Sequence, residues 1–237
     1  MLFGRRREPL VVLRRAGGTP PPDWEVIEVR RDGGFRMWRT IGRAAAPSAP
    51  STPVGRFAGT LPDDELARLR EAANRCRRAG TVDLPPPLGG SLDTVLVGRS
   101  RLKLGDDQPA PDPWGPLTEH LRRLLGELTA SPTAALVLER EQSGAAVRHL
   151  GAEPIELDLA QGTVRVVRWA DGAAVEESRL PLGGERSVTA GPGWSYPLPV
   201  GPDVTGDLSV SLHIDDLLAF DGEFWRACAL DTPPPAA

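Results

Sequence analysis

Val26-Ile-Glu-Val-Arg-Arg-Asp-Gly-Gly-Phe-Arg-Met-Trp-Arg-Thr-Ile41 decides how the N-terminal half of this chain folds. Residues alternate in character into Asp32-Gly33-Gly34 and out again, the pattern of two strands joined by a tight turn. In the return strand, alternation puts Phe35, Met37 and Arg39 on one face and Arg36 and Trp38 on the other. Both faces therefore carry a large apolar group. One face must pack on the body of a domain, and the other is the candidate contact with a partner, since aromatic and Arg side chains concentrate at interfaces.

Working outward, Leu10-Val-Val-Leu-Arg-Arg-Ala-Gly-Gly18 has the same form as the first half of the hairpin, a strand closing on Gly-Gly. Thr19-Pro-Pro-Pro22 between them reads as a stiff extended connector. Arg43–Pro53 is rich in Pro, Ala and Ser, the composition of a mobile loop. Val54–Gly59 offers a short strand, and a helix follows. Thr60 or a residue beside it is the expected cap, Pro62 lies in the first turn, and Asp63, Asp64 and Glu65 complement the helix dipole. Leu66, Leu69, Ala73 and Cys76 recur at helical spacing, and Gly80 ends the helix. Thr94–Val97 and Arg101–Leu104 are short strands. Pro116 opens a second helix with Leu117, Leu121, Leu124 and Leu128 as its apolar stripe.

From Pro132 the pattern changes. Strand-like runs at 135–139, 146–149, 155–159, 163–169, 174–176, 194–198 and 208–214 are separated by Gly, Asp and Pro turns, as in a β-sandwich. The expected fold is an α+β domain, an antiparallel sheet with two helices on one face, followed by an all-β immunoglobulin-like sandwich. Its boundaries are an N-terminal strand or tail at 1–23, the α+β domain at 24–130, the sandwich at 131–231 and a disordered Pro/Ala tail at 232–237.

Composition narrows the classes of function. The chain has 237 residues with 40% hydrophobic content, enough for real cores, and 26 Gly and 25 Pro, which favour turns over a helical bundle. Its formal charge of −4 argues against a bulk nucleic-acid binder, which needs a basic face. Arg5-Arg6-Arg7 reads as a solvated tail. No apolar run has the length of a signal peptide core or a bilayer span, so a cytoplasmic, membrane-free protein is expected. Cys76 and Cys228 read as small buried hydrophobes rather than a disulfide.

His120, His149 and His213 lack a second His or Cys at metal-ligand spacing. His213-Ile-Asp215-Asp216 is the best acidic-histidine grouping, and no cofactor is expected from it. Neither a nucleophile elbow nor a phosphate-cradling loop occurs. The doublets Asp63-Asp64, Asp106-Asp107 and Asp215-Asp216 are neighbours in sequence, whereas acid–base catalysis needs carboxylates opposed across a cleft.

The N-terminal unit resembles the emfourin family, small protein inhibitors of thermolysin-like metalloproteases. The likeness is carried by the strand Val26–Arg31, the turn Gly33-Gly34-Phe35, Thr60-Leu61-Pro62-Asp-Asp-Glu-Leu-Ala-Arg-Leu69, and Pro116-Leu-Thr-Glu-His-Leu-Arg-Arg-Leu-Leu125, and it covers roughly residues 24–130. Arg36-Met37-Trp38 and the insertion at 43–53 depart from the family pattern. The C-terminal unit is loosely similar to immunoglobulin-like modules, through Gly191-Pro192-Gly193 ahead of Trp194. The resemblance implies a protein partner, with a protease as the class it names. The expected function is a non-enzymatic protein-binding module of inhibitor-like or regulatory kind, with Gly33, Gly34, Phe35, Met37 and Trp38 as its contact. The alternatives are an enzyme or small-ligand protein using a groove between domains, with His213, Asp215 and Asp216 as its polar groups, and a structural or assembly component.

Overall fold

The computed structural model describes residues 8–17, 23–43, 50–84, 91–105, 108–141, 144–170, 173–184, 188–198, 200, 209–215 and 229–231. In chain order the elements are β1 (Val11–Ala16), β2 (Asp23–Val29), β3 (Gly34–Arg39), β4 (Ile41–Arg43), β5 (Val54–Thr60), α1 (Asp63–Cys76), β6 (Thr81–Asp83), β7 (Leu92–Val97), β8 (Ser100–Gly105) and α2 (Gly115–Leu128). They continue with β9 (Pro132–Glu141), β10 (Gly144–Leu150), β11 (Ile155–Leu157), β12 (Thr163–Ala170), β13 (Ala173–Pro181), β14 (Val188–Ala190), β15 (Ser195–Pro197), β16 (Ser209–Asp215) and β17 (Ala229–Asp231). The chain is broadly α+β, mostly strand with two helices. It forms two compact units, residues 1–38 with 57–131 and residues 39–56 with 132–237.

In the first unit the strands run β5-β3-β2-β1-β7-β8-β6. The Gly-Gly hairpin is built as its residues dictate. Gly33 adopts φ +90°, a conformation that disfavours side chains. Asp32 Oδ1 accepts from the Gly34 amide at 3.0 Å, and the Arg30 amide donates to the Gly34 carbonyl at 2.8 Å. β1, read from sequence as a strand outside the domain, lies inside this sheet between β2 and β7, antiparallel to both. Its Val11 and Leu13 are each 1% exposed, which is why the sheet gains from including it; full burial of such a side chain is worth roughly 1.5–3 kcal/mol. One edge departs from the antiparallel expectation. The chain leaves α1 through Gly80, at φ +71°, and β6 runs parallel to β8.

Both helices bury the expected stripes, Leu66, Leu69, Ala73 and Cys76 on α1 and Leu117, Leu121, Leu124 and Leu128 on α2. The cap of α1 differs from expectation. Thr60 ends β5, and Pro62 occupies the N-cap with no side-chain hydrogen bond, its carbonyl taking the Leu66 amide. The acidic first turn, Asp63 to Glu65, supplies the electrostatic part of the start signal.

In the second unit β9 and β10 form a hairpin extended by β15. A five-stranded sheet runs β13-β12-β16-β17-β4, and β11 pairs with β14. β4 comes from upstream of α1 and lies parallel to β17, so residues outside 131–231 complete this sheet. The Pro/Ala-rich stretch is correspondingly tied down where it is described. Ser51 is 3% exposed, its amide donates to the Leu138 carbonyl, and its Oγ accepts from the Leu138 amide. The Thr52 amide donates to the Arg43 carbonyl, and the Arg43 amide donates to Thr52 Oγ1. The mobile-loop reading therefore fails for residues 50–53, because composition does not register such long-range backbone bonds; residues 44–49 lie outside the described set.

Candidate contact surface

The hairpin placed first as a contact is core. Phe35 is 5% and Met37 0% exposed. Gly33 and Gly34 are buried too, and a Cβ at Gly33 would stand 2.9 Å from Leu66 Cδ2 of α1. The alternation was read correctly: Phe35, Met37 and Arg39 are the inward set, with Arg36 exposed and Trp38 half-buried. What fails is their assignment to a partner, because the chain's own body covers Phe35 and Met37. Trp38 is itself engaged within the chain.

Of the acidic-histidine grouping, only His213 has its side chain among the described residues. His213 is half-buried on β16, in register with Arg165 on one side and Asp231 on the other. Asp215 is described only through its backbone, opposite Thr163, and Asp216 lies outside the described residues. No group of three or more His, Cys, Asp or Glu among the described residues is placed to hold a metal ion. Cys76 is a free buried thiol donating to the Pro113 carbonyl at 3.3 Å; burial, then the Asp112 charge, pushes it up to about 11, so it stays a protonated thiol at neutral pH.

Sequence reasoning missed two ionic clusters. In the first, register places Arg15 of β1 opposite both Glu25 of β2 and Asp93 of β7. Arg15 Nε donates to Asp93 at 2.8 Å and Nη1 to Glu25 at 3.3 Å, and Arg122 Nε of α2 donates to Asp93 at 3.0 Å. Asp93 is 0% and Glu25 2% exposed. Two cations and two carboxylates balance, and the free donors of Arg122 are taken by the carbonyls of Gly105 and Gln108. These bonds tie β1, β2, β7 and α2 together within the first unit. The available signal was parity: Asp93 falls in phase with Val95 and Val97, and Glu25 with Ile27 and Val29, all buried.

The second cluster joins the helices. Glu65 of α1 accepts from Arg123 Nη2 of α2 at 2.6 Å, and Arg123 also holds Glu127 at 2.7 Å. His120 Nε2 stands 2.9 Å from Glu65, and burial holds its pKa below the ordinary value, against the opposing pull of Glu65. His149, the third histidine, is 6% exposed and its Nε2 donates to the Glu153 carbonyl at 2.9 Å, a fixed structural tautomer.

The surface left open is an edge. Among the described residues β13 ends its sheet, pairing with β12 alone. Ala173 to Glu177, Arg179 and Pro181 are exposed, and Ser178 and Leu180 are half-exposed, so both faces of a nine-residue strand meet solvent. Val175, at 57%, is an exposed large hydrophobic side chain on it. Sequence reading saw only Ala174–Glu176 of this strand, because a strand exposed on both faces shows no apolar period. The charges along it pair back to β12: Arg168 Nε to Glu176 at 3.3 Å, and Arg165 Nη1 to Glu177 at 3.7 Å.

No family model, no curated protein and no solved structure matches the chain. No helix among the described residues is long and apolar enough to cross a membrane.

Proposed function

We propose that the chain is a non-enzymatic protein-binding module that receives an extended segment of its partner along the open edge of β13. The observation that carries this reading is the nine-residue edge strand, exposed on both faces and bonded on one side only. Alternate N–H and C=O groups of such a strand point outward and offer a ready template for strand addition. The likeness of the N-terminal unit to emfourins adds a class of partner, a thermolysin-type metalloprotease, with the contact moved from the Gly-Gly hairpin to β13. The immunoglobulin-like likeness of the C-terminal unit belongs to the same proposal, since such modules commonly bind through sheet edges and loops.

The test exploits ladder geometry. Of two consecutive residues in an edge strand, one points its N–H outward. Glu176→Pro and Glu177→Pro are made separately, and capture of host-lysate proteins by the immobilised full chain is quantified. The variant that removes an outward N–H loses the captured set with β13 still paired to β12, whereas the other breaks a bond to β12 and controls for loss of the strand itself. Equal capture by both variants and the wild type sinks the reading. Hydrolysis of a peptide by a thermolysin-type protease, with and without the chain, then tests the inhibitor form; an unchanged rate removes that form.

A further inference from the structure

Resting on the strand-addition reading, we propose that the occupant of the β13 edge is a second copy of the same chain, paired antiparallel about a two-fold axis at Ser178. In the ladder with β12, Arg179 stands directly opposite Arg165, a like-charge pair. Arg165 at least reaches Glu177, at 3.7 Å, whereas no described acidic group pairs with Arg179. Arg179 is thus an exposed cation that its own sheet repels, beside an open edge.

Symmetry then selects the register. Two copies that continue one sheet antiparallel are related by an axis perpendicular to it, which preserves the up or down sense of each side chain. Only registers centred on a residue are allowed. Centring on Glu176, Glu177 or Arg179 sets like charges against each other on the axis. Centring on Ser178 sets a small hydroxyl against itself and pairs Glu177 with the second copy's Arg179, twice by symmetry. The regular ladder covers residues 176–180 and stops short of the bulge at Val175, which has no partner residue in β12. The charges that deter other strands from this edge, as charged edges do, are complementary in this one register.

Sedimentation equilibrium of the full chain over a concentration series tests the assignment, with Glu177→Arg, Arg179→Glu and the double variant alongside. The wild type forms a reversible dimer. Each single variant sets like charges in opposition at both symmetric positions and weakens it about tenfold or more, and the double variant, which exchanges both signs, restores it. All substituted side chains are on the exposed strand, so circular dichroism of the variants should overlay the wild type. A wild type that is monomeric throughout, or a dimer indifferent to the single charge reversals, overturns the second-copy assignment. If lysate capture still depends on the proline variants in that case, β13 binds another protein and only the identity of the occupant is wrong; if capture is also indifferent, the strand-addition reading falls with it.

Discussion

Met37→Ala separates a hairpin that is core from one that is a contact. Met37 is 0% exposed in β3, while Arg36 beside it is exposed. The substitution deletes three heavy atoms beyond Cβ, and at about 0.8 kcal/mol each their lost transfer energy is roughly 2.4 kcal/mol. Incomplete collapse around the vacated space raises this to about 3–4 kcal/mol, inside the range measured for Met-to-Ala changes in cores. The first unit is of ordinary domain size, for which each kcal/mol moves the midpoint by about 4 °C. Differential scanning calorimetry should therefore show one transition lowered by about 12–16 °C, and Arg36→Ala should lower it by less than about 2 °C. If Met37→Ala leaves every transition within about 2 °C of wild type, the strand is not core, and the hairpin returns as a contact candidate.

Asp93→Asn leaves Arg15 and Arg122 facing a neutral group in a buried setting, so urea titration should report a loss of about 3 kcal/mol, and a change under about 0.5 kcal/mol would show that the network is not formed. His120 is held neutral by burial, so the unfolded chain takes up a proton there more readily than the folded one. Stability is then greatest above the ordinary histidine value near 6.5 and falls as pH drops through it; His120→Gln should flatten that part of the pH–stability curve, and an unchanged slope would refute the assignment. Arg140 of β9 has Nε and Nη2 buried without an acceptor among the described residues, and burial lowers its pKa. Arg140→Met should leave the midpoint unchanged or raise it, by up to about 2 kcal/mol in urea, whereas a clear loss would reveal a bond that the guanidinium makes.

Much of the first unit was legible because its signals are local. The turn at Gly33 needs a positive φ, the helix starts are acidic or carry proline, and the two leucine stripes repeat at helical spacing. Of the six three-residue strands among the described residues, β11 and β15 lie within runs read from the sequence, whereas β4, β6, β14 and β17 were not legible, since three residues alone carry little period and their partners are not sequence neighbours; β4, for example, pairs with residues 229–231. The candidate site fared worse for a related reason. Apolar side chains on both faces of β3 were taken as a sign of exposure, but sequence cannot say which face a distant helix such as α1 will cover. β13 carried the opposite problem: its lack of apolar period, which hid it, is the mark of a strand left open.

Amide hydrogen exchange, compared between the dilute chain and the chain carrying its bound partner, tests β13 against the Gly-Gly hairpin as the contact. With β13 as the contact, alternate amides within residues 173–181 exchange fast when the edge is free and become protected on binding, while amides of residues 31–39 are unchanged. New protection at residues 31–39, with residues 173–181 exchanging as before, would contradict it.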